Sequence, residues 1–166
     1  TTIFDQEYRN KVVTVVDSGS TDATKKIVQE FADVVLVEIT DFLPGKAINI
    51  GIKAQPSDYA MILSAHCLIK GTKCISSYVD FLEKNLSIAG AYGRQLPLKH
   101  THCDDTRDLI ITFGSEERIQ TKDSFFHNAN SMLRTSVLDK FPIDSSVKHV
   151  EDRLWASQVI DGGYQV

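Results

Sequence analysis

The run Lys11–Val16 (KVVTVV) passes directly into the turn-forming cluster DSGSTD, and this junction constrains the chain more than any other segment. A nearly continuous β-branched run without polar alternation reads as a strand buried on both faces. Asp, Ser and Gly end it. Thr21 or Asp22 can then cap a helix in ATKKIVQEF, where Ile27 and Phe31 share a face. The same order returns along the chain. Val34–Ile39 reads as a second strand, and Pro44-Gly45 is expected to break the chain before a helix in KAINIGIKA. Asp58–Leu63 reads as a third strand, stopped by SAHC, and Thr72–Lys84 as a helix with an apolar stripe of Ile75, Val79 and Leu82. Ile88–Tyr92 and Ser131–Leu133 follow as short strands. Between Gln95 and Lys122 the pattern weakens, leaving a modest helix around Leu109–Phe113. Glu151–Ile160 is a helix ended by Gly162-Gly163, with Trp155 and Val159 on its core face. Strands alternating with helices predict an α/β domain with a largely parallel sheet.

Composition narrows the function classes. At 166 residues the chain suffices for one domain, and 42% hydrophobic with 24% charged residues is a globular profile. No apolar stretch approaches the roughly 20 residues a membrane span needs. The opening TTIFDQEYRN lacks the basic end and apolar run of a secretory leader. A net charge of -4 argues against a broad nucleic-acid surface, so no nucleic-acid partner is expected. Cys67, Cys74 and Cys103 form no Cys-x-x-Cys pair, which favours a reducing, cytoplasmic compartment. His100, His102 and Cys103 crowd together in LPLKHTHCDD without a second ligand set, and read as a solvated loop rather than a metal site.

In α/β sheets ligands collect beyond the carboxyl ends of the strands, where DSGSTD and SAHC lie. Asp17, followed by Ser18, Gly19 and Ser20, either accepts hydrogen bonds from a nucleotide's base or ribose or simply shapes a strand-to-helix turn. Glu151-Asp152 opens a helix, where a carboxylate is favoured electrostatically, whether or not it has a chemical task.

These segments together resemble family 2 glycosyltransferases, the inverting nucleotide-sugar enzymes of GT-A fold. VVTVVDSGSTDAT is similar to the family's V-V-D-D-G-S-T-D-x-T segment. GKAINIGIKA resembles its G-x-x-x-N-x-G-x-x-x-A helix through Gly45, Asn49, Gly51 and Ala54. YAMILSAHC stands where the family has a strand ending in Asp-x-Asp. FFHNANSMLRTSVL resembles the stretch entering the acceptor side, and HVEDRLWASQVIDGGYQV the Glu-Asp helix. The resemblance covers most of the chain, in order.

It implies a GT-A, Rossmann-like mixed sheet flanked by helices, and inverting sugar transfer to a glycan or lipid-linked acceptor, with Asp152 as general base beside Glu151. It implies donor contacts from Asp17, Ser18, Gly19, Ser20, Lys46, Asn49, Ser64 and Ala65. Arg94, Gln95, His127, Asn128 and Asn130 are the expected substrate-side residues. Arg94 either balances donor phosphates or makes a surface salt bridge. Ser64-Ala65-His66 replaces Asp-x-Asp, as in a subset that includes rhamnosyltransferase-like members, with Gly93-Arg94-Gln95 downstream. His66 then becomes the expected metal ligand, suited to manganese better than to magnesium, which prefers oxygen. The alternatives are a non-catalytic nucleotide-sugar-binding relative and a sugar nucleotidyltransferase. Residues 1–166 are expected to form one glycosyltransferase-like domain without the family's first strand or its C-terminal part, working in the cytoplasm at the inner face of a membrane.

Overall fold

β1 (Val13–Asp17) pairs in parallel with β2 (Val34–Glu38), with Val13 opposite Val34 and Asp17 opposite Glu38. The computed structural model in which this is seen describes residues 2–166. Between the two strands runs α1 (Thr24–Gln29), where Asp22 Oδ1 accepts the Thr24 N–H at 2.9 Å and fulfils the expected capping role. Lys25 spans the pair, its Nζ bonded to the Glu38 carboxylate and 3.8 Å from Asp17 Oδ2.

A second sheet holds β3 (Tyr59–Leu63), β4 (Gly90–Tyr92) and β5 (Asn130–Arg134) in the order β3-β5-β4. β5 is antiparallel to both neighbours, so the strand set is mixed. β5 is the best-buried strand because a helix covers each face. Leu133 points into a cluster with Trp155 and Val159 of α6 (Glu151–Asp161) and with Phe126, Val137 and Ile143. Its neighbour Met132 points the other way, into Ile75, Val79 and Leu82 of α3 (Cys74–Lys84). Each such buried side chain contributes about 1.5–3 kcal/mol relative to exposure. Arg134 closes β5 by capping the end of α3: its Nη2 donates to Leu82 O and Asn85 O, and its Nε donates to Ile88 O at 2.8 Å.

β1 was read as buried on both faces, yet Val13–Val16 are only half-buried, as is every residue of β3. Among the described residues β1 pairs only with β2 and β3 only with β5, so each has a free edge. Ile27 of α1 is exposed rather than packed.

Pro44 and Gly45 do not break the chain; they open α2 (Pro44–Ala54). Proline suits the first helical position because its missing N–H would have no partner there. Gly45 is needed for a different reason: a Cβ at this position would overlap Asp144 O and meet the Ile143 side chain at 3.0 Å. α2 thereby seats against the loop before α6, and Ile48 and Ile52 reach the α6-side core.

The helix expected around Leu109–Phe113 is longer, α4 (Cys103–Thr112), followed by the short α5 (Thr135–Leu138). α4 buries none of its residues, which explains why its periodicity was weak in sequence. His102 caps it, Nδ1 accepting the Asp104 N–H at 3.4 Å. No described helix is long and apolar enough to cross a membrane.

Gly45→Ala should destabilise the fold by about 1–3 kcal/mol, because the helix must lift off a backbone carbonyl that cannot swing aside. Urea unfolding measures this directly, and an unchanged midpoint would refute the close approach.

Candidate functional site

The segment 127–130 enters β5 across the exits of its two partner strands. Ser64 N–H, at the end of β3, donates to Ala129 O at 3.0 Å. Gly93 N–H, just past β4, donates to Asn130 O at 2.9 Å, and the same oxygen accepts the Tyr78 hydroxyl at 3.1 Å. Burial pushes the Tyr78 pKa far above the usual phenol value, so this hydroxyl stays a donor. Gly93 is required by the crowding, since a Cβ there would lie 2.5 Å from Tyr78 Oη and 2.6 Å from Asn130 Nδ2.

His127 stands at the centre. Its Nδ1 accepts the Ala129 N–H at 3.2 Å and lies 3.0 Å from Gln95 Nε2. With Nδ1 held as an acceptor, the hydrogen-bond network assigns the ring proton to Nε2. Burial lowers the His127 pKa below the ordinary imidazole value, against the opposing pull of Asp152, while Arg153 and His66 lower it further. The ring is therefore neutral near pH 7 and faces carboxylates on one element and an imidazole on another. Phe113 packs edge-on against it at 5.4 Å.

α6 brings the acidic pair to this point. Asp152 Oδ2 accepts the Asn128 N–H at 3.4 Å, and Oδ1 accepts the Arg153 N–H at 2.8 Å. Both oxygens keep free lone pairs. Asn128 is buried; its Oδ1 accepts the Ser131 hydroxyl at 3.1 Å, while Nδ2 has no partner among the described residues, nor has Asn130 Oδ1.

The structure thus gathers Gln95, His127, Asn128, Asn130, Ser64 and Asp152 around one strand entry, with Glu151 beside Asp152 at the start of α6 and His66 two residues past Ser64. Ala65, His66 and Arg94 are exposed at its rim, and Arg94 makes no ion pair among the described residues. Asp17 sits elsewhere, at the end of β1, and is buried. Its Oδ2 accepts the Gly19 and Ser20 N–H groups, each at 3.0 Å, and so shapes the turn. Hydrogen bonding from Ser20, then from Gly19, with Lys25 beside it, holds the Asp17 carboxyl below the usual range. The Ser18 side chain is exposed and free.

Lys46 and Asn49 lie on a cleft of about 630 Å³ between α2 and the loop before α6. Asn49 Nδ2 donates to Ile143 O at 2.6 Å and to Ser145 Oγ at 3.0 Å, and Lys46 Nζ is 3.9 Å from Asp41. Asn49 therefore binds the loop before α6. Sequence reasoning missed Tyr78 and Arg153. Tyr78 is the polar tip on the apolar stripe of α3, and Arg153 the basic residue directly after the acidic pair.

A cation at the β3 exit would find one imidazole, His66, and the Ser64 hydroxyl, with no carboxylate in the same strand end. Among the described residues three His, Cys, Asp or Glu side chains converge only at His102, Cys103 and Asp104, which are exposed neighbours in sequence. The His66 donor set fits a nitrogen-tolerant ion held largely by a ligand's own phosphates, and does not fit a self-sufficient magnesium site.

Comparison with known proteins identifies the family. The family model described as Glycosyl transferase family 2 matches residues 1–141. The O-antigen chain rhamnosyltransferase WbaN of Salmonella anatum is 24% identical over 167 aligned positions, covering 92% of this chain and 52% of that protein. Among solved structures, the mannosyltransferase PcManGT from Pyrobaculum calidifontis, in complex with GDP-Man and Mn2+, superposes with a TM-score of 0.73 at 20% identity. That match covers 99% of this chain and 47% of the mannosyltransferase. S. aureus TarS 1-349 superposes with a TM-score of 0.65 at 17% identity, over 96% and 49% respectively. The chain spans about half the length of these relatives. The fold is that of the GT-A glycosyltransferases, and the chain belongs to glycosyl transferase family 2.

Proposed function

We propose that the chain carries the catalytic centre of an inverting transfer of a sugar from a nucleotide-sugar donor to a glycan or lipid-linked hydroxyl acceptor. The observation that carries this reading is the position of Asp152, held by two backbone N–H groups beside neutral His127 where the exits of β3 and β4 meet the entry of β5. Asp152 removes the acceptor's hydroxyl proton as that oxygen bonds to the anomeric carbon. The bond from that carbon to the donor's phosphate oxygen breaks, and the nucleoside diphosphate leaves with the electron pair. No enzyme-linked intermediate is needed for inversion. His127 Nε2–H, Gln95 and the unpartnered Asn128 amide offer hydrogen bonds to sugar hydroxyls. Asp17, with its Oδ1 free of the turn, orients the base or ribose. His66 would hold a divalent cation, manganese in preference to magnesium, whose chemistry is to neutralise the diphosphate. Arg94 adds a cation to the same rim.

Residues 1–166 act in this reading as one domain whose sheet is short of a strand, which the free, half-buried edges of β1 and β3 support. Synthesis of a surface polysaccharide at the cytoplasmic face of a membrane is the matching cellular role. The O-antigen relative and three unbridged cysteines support it.

Three measurements test the reading. Asp152→Asn keeps the size of the side chain and removes the proton acceptor. Donor binding should survive while transfer from a panel of nucleotide sugars falls by about 10²–10⁴; full turnover in the variant would move the base elsewhere. His66→Ala should abolish any preference for manganese over magnesium in donor binding, and a tight, magnesium-selective wild type would remove His66 from the metal's ligands. For His127 the folded pKa is lowered, so the unfolded chain binds the proton first. The stability tied to neutral His127 is present above about pH 6.5 and is lost as pH falls from there toward the lowered value. Unfolding curves across that window should show this slope, and His127→Gln should flatten it.

A further inference from the structure

A polar pocket of about 420 Å³, which the transfer reading leaves unused, is lined by Arg153, the residue after Asp152. Its walls include Arg118, Arg153, Asp123, Ser124, Phe125 and Ile111. None of its lining residues belongs to β1, α2 or the β3 exit, which carry the donor-side candidates. Arg153 follows Asp152 directly and lays its guanidinium over the Phe125 ring, 5.1 Å from the centroid. Phe125 is two residues from His127. Arg118 stands near the Tyr92 hydroxyl and opposes the upward push of burial on its pKa. Among the described residues neither arginine is in an ion pair, although two other arginines are engaged: Arg107 with Asp108 and Arg134 with backbone carbonyls. The Asp123 carboxylate in the same wall is exposed, and its Oδ1 accepts the Phe125 N–H at 3.0 Å.

Two unpaired guanidiniums converging on one hydroxyl-lined pocket form a fork for a tetrahedral dianion. Stacking on Phe125 pre-orders the Arg153 plane, which reduces the entropy lost on binding. We propose that this pocket is a subsite for a phosphate group carried by the acceptor, beside the hydroxyl that Asp152 deprotonates. The inference rests on the transfer reading for the word acceptor, but the anion site itself stands on the pocket. Ile111, Ile110 and Ile119 expose 72%, 56% and 52% of their surface at or beside this wall, so the phosphate can come from a lipid headgroup as well as from a soluble sugar phosphate.

The test uses isotope-labelled protein and follows the side-chain Nε–Hε resonances of Arg118 and Arg153 as inorganic pyrophosphate is added, with sodium chloride at matched ionic strength as control. Both resonances should shift saturably, and R118Q and R153Q should each weaken pyrophosphate binding about tenfold or more. Both residues are exposed, so the variants should fold as the parent does. Binding of nucleoside diphosphates should be unaffected. Shifts no larger than with chloride, or pyrophosphate affinity undiminished in the double variant, overturn the proposal. Flotation with phosphatidylcholine vesicles, with and without a long-chain alkyl phosphate, separates the sources. Arginine-dependent flotation only with the alkyl phosphate assigns the lipid, whereas pyrophosphate binding without flotation assigns a soluble phosphate. If the arginines respond but Asp152→Asn keeps full transfer, the catalytic reading fails alone. If Asp152→Asn abolishes transfer while the arginines are silent, only the phosphate subsite fails.

Discussion

Four hydrogen bonds to the main chain of residues 128–130 tie together elements that lie far apart in sequence. Ser64 reaches Ala129 from β3, Gly93 and Tyr78 reach Asn130 from β4 and α3, and Asp152 reaches Asn128 from α6. Each such bond contributes about 0.5–1.5 kcal/mol net, but leaving one of these backbone groups unpaired in the interior costs about 1–3 kcal/mol. The asymmetry gives the segment its authority. The strand exits and the helix start can move only together, so the side chains they carry keep a common frame. His127 benefits directly, since its ring is fixed by the N–H of Ala129 and by Gln95.

The rest of the molecule is looser. α2 is stapled to the loop before α6 by Asn49 and by the close approach at Gly45, and its apolar face reaches the α6-side core. β1 and β2 carry Asp17 on a separate two-stranded sheet whose valines and leucine stay half-buried. The acidic pair and the Asp17 turn therefore belong to parts of the fold with different degrees of support. The first is locked by the packed β5 core, whereas the second relies on its own turn, on α2 and on Lys25.

Sequence reading found what depends on local pattern. The stripe Ile75, Val79, Leu82 and the buried Trp155 and Val159 follow from helical period, and the structure buries all five. It erred where a partner at long range decides. KVVTVV reads as a buried strand because its composition is apolar, but burial also needs a neighbour at the free edge. Pro44-Gly45 reads as a break by local chemistry, and only Asp144, a hundred residues on, explains why a helix begins there with glycine. α4 hides because it buries no face. Within the site, His127, Asn128 and Asp152 were legible through the family-like order of segments. Tyr78 was not, because a tyrosine on an apolar stripe carries no sign of where its hydroxyl points.

The entry to α6 shows how the core places the acidic pair. Val150 takes φ +62°, the single non-glycine residue with positive φ among those described, and it is exposed. A left-handed β-branched residue costs about 1–2 kcal/mol, and an exposed one recovers nothing by burial. Polar contacts at the helix start offset little of this, since the Asn128–Asp152 bond is long at 3.4 Å. The compensation comes one turn further on. Trp155 is buried against Phe126, and its indole N–H donates to Phe141 O at 2.9 Å; Val159 fills the next position. Burial of these two side chains is worth about 1.5–3 kcal/mol each, which exceeds the backbone cost. Packing therefore dictates the direction of α6, the chain bends unfavourably at Val150 to comply, and Glu151-Asp152 are delivered to His127 as a consequence. The acidic pair is positioned from the interior outward, so it keeps its place whether or not a substrate is there to hold it.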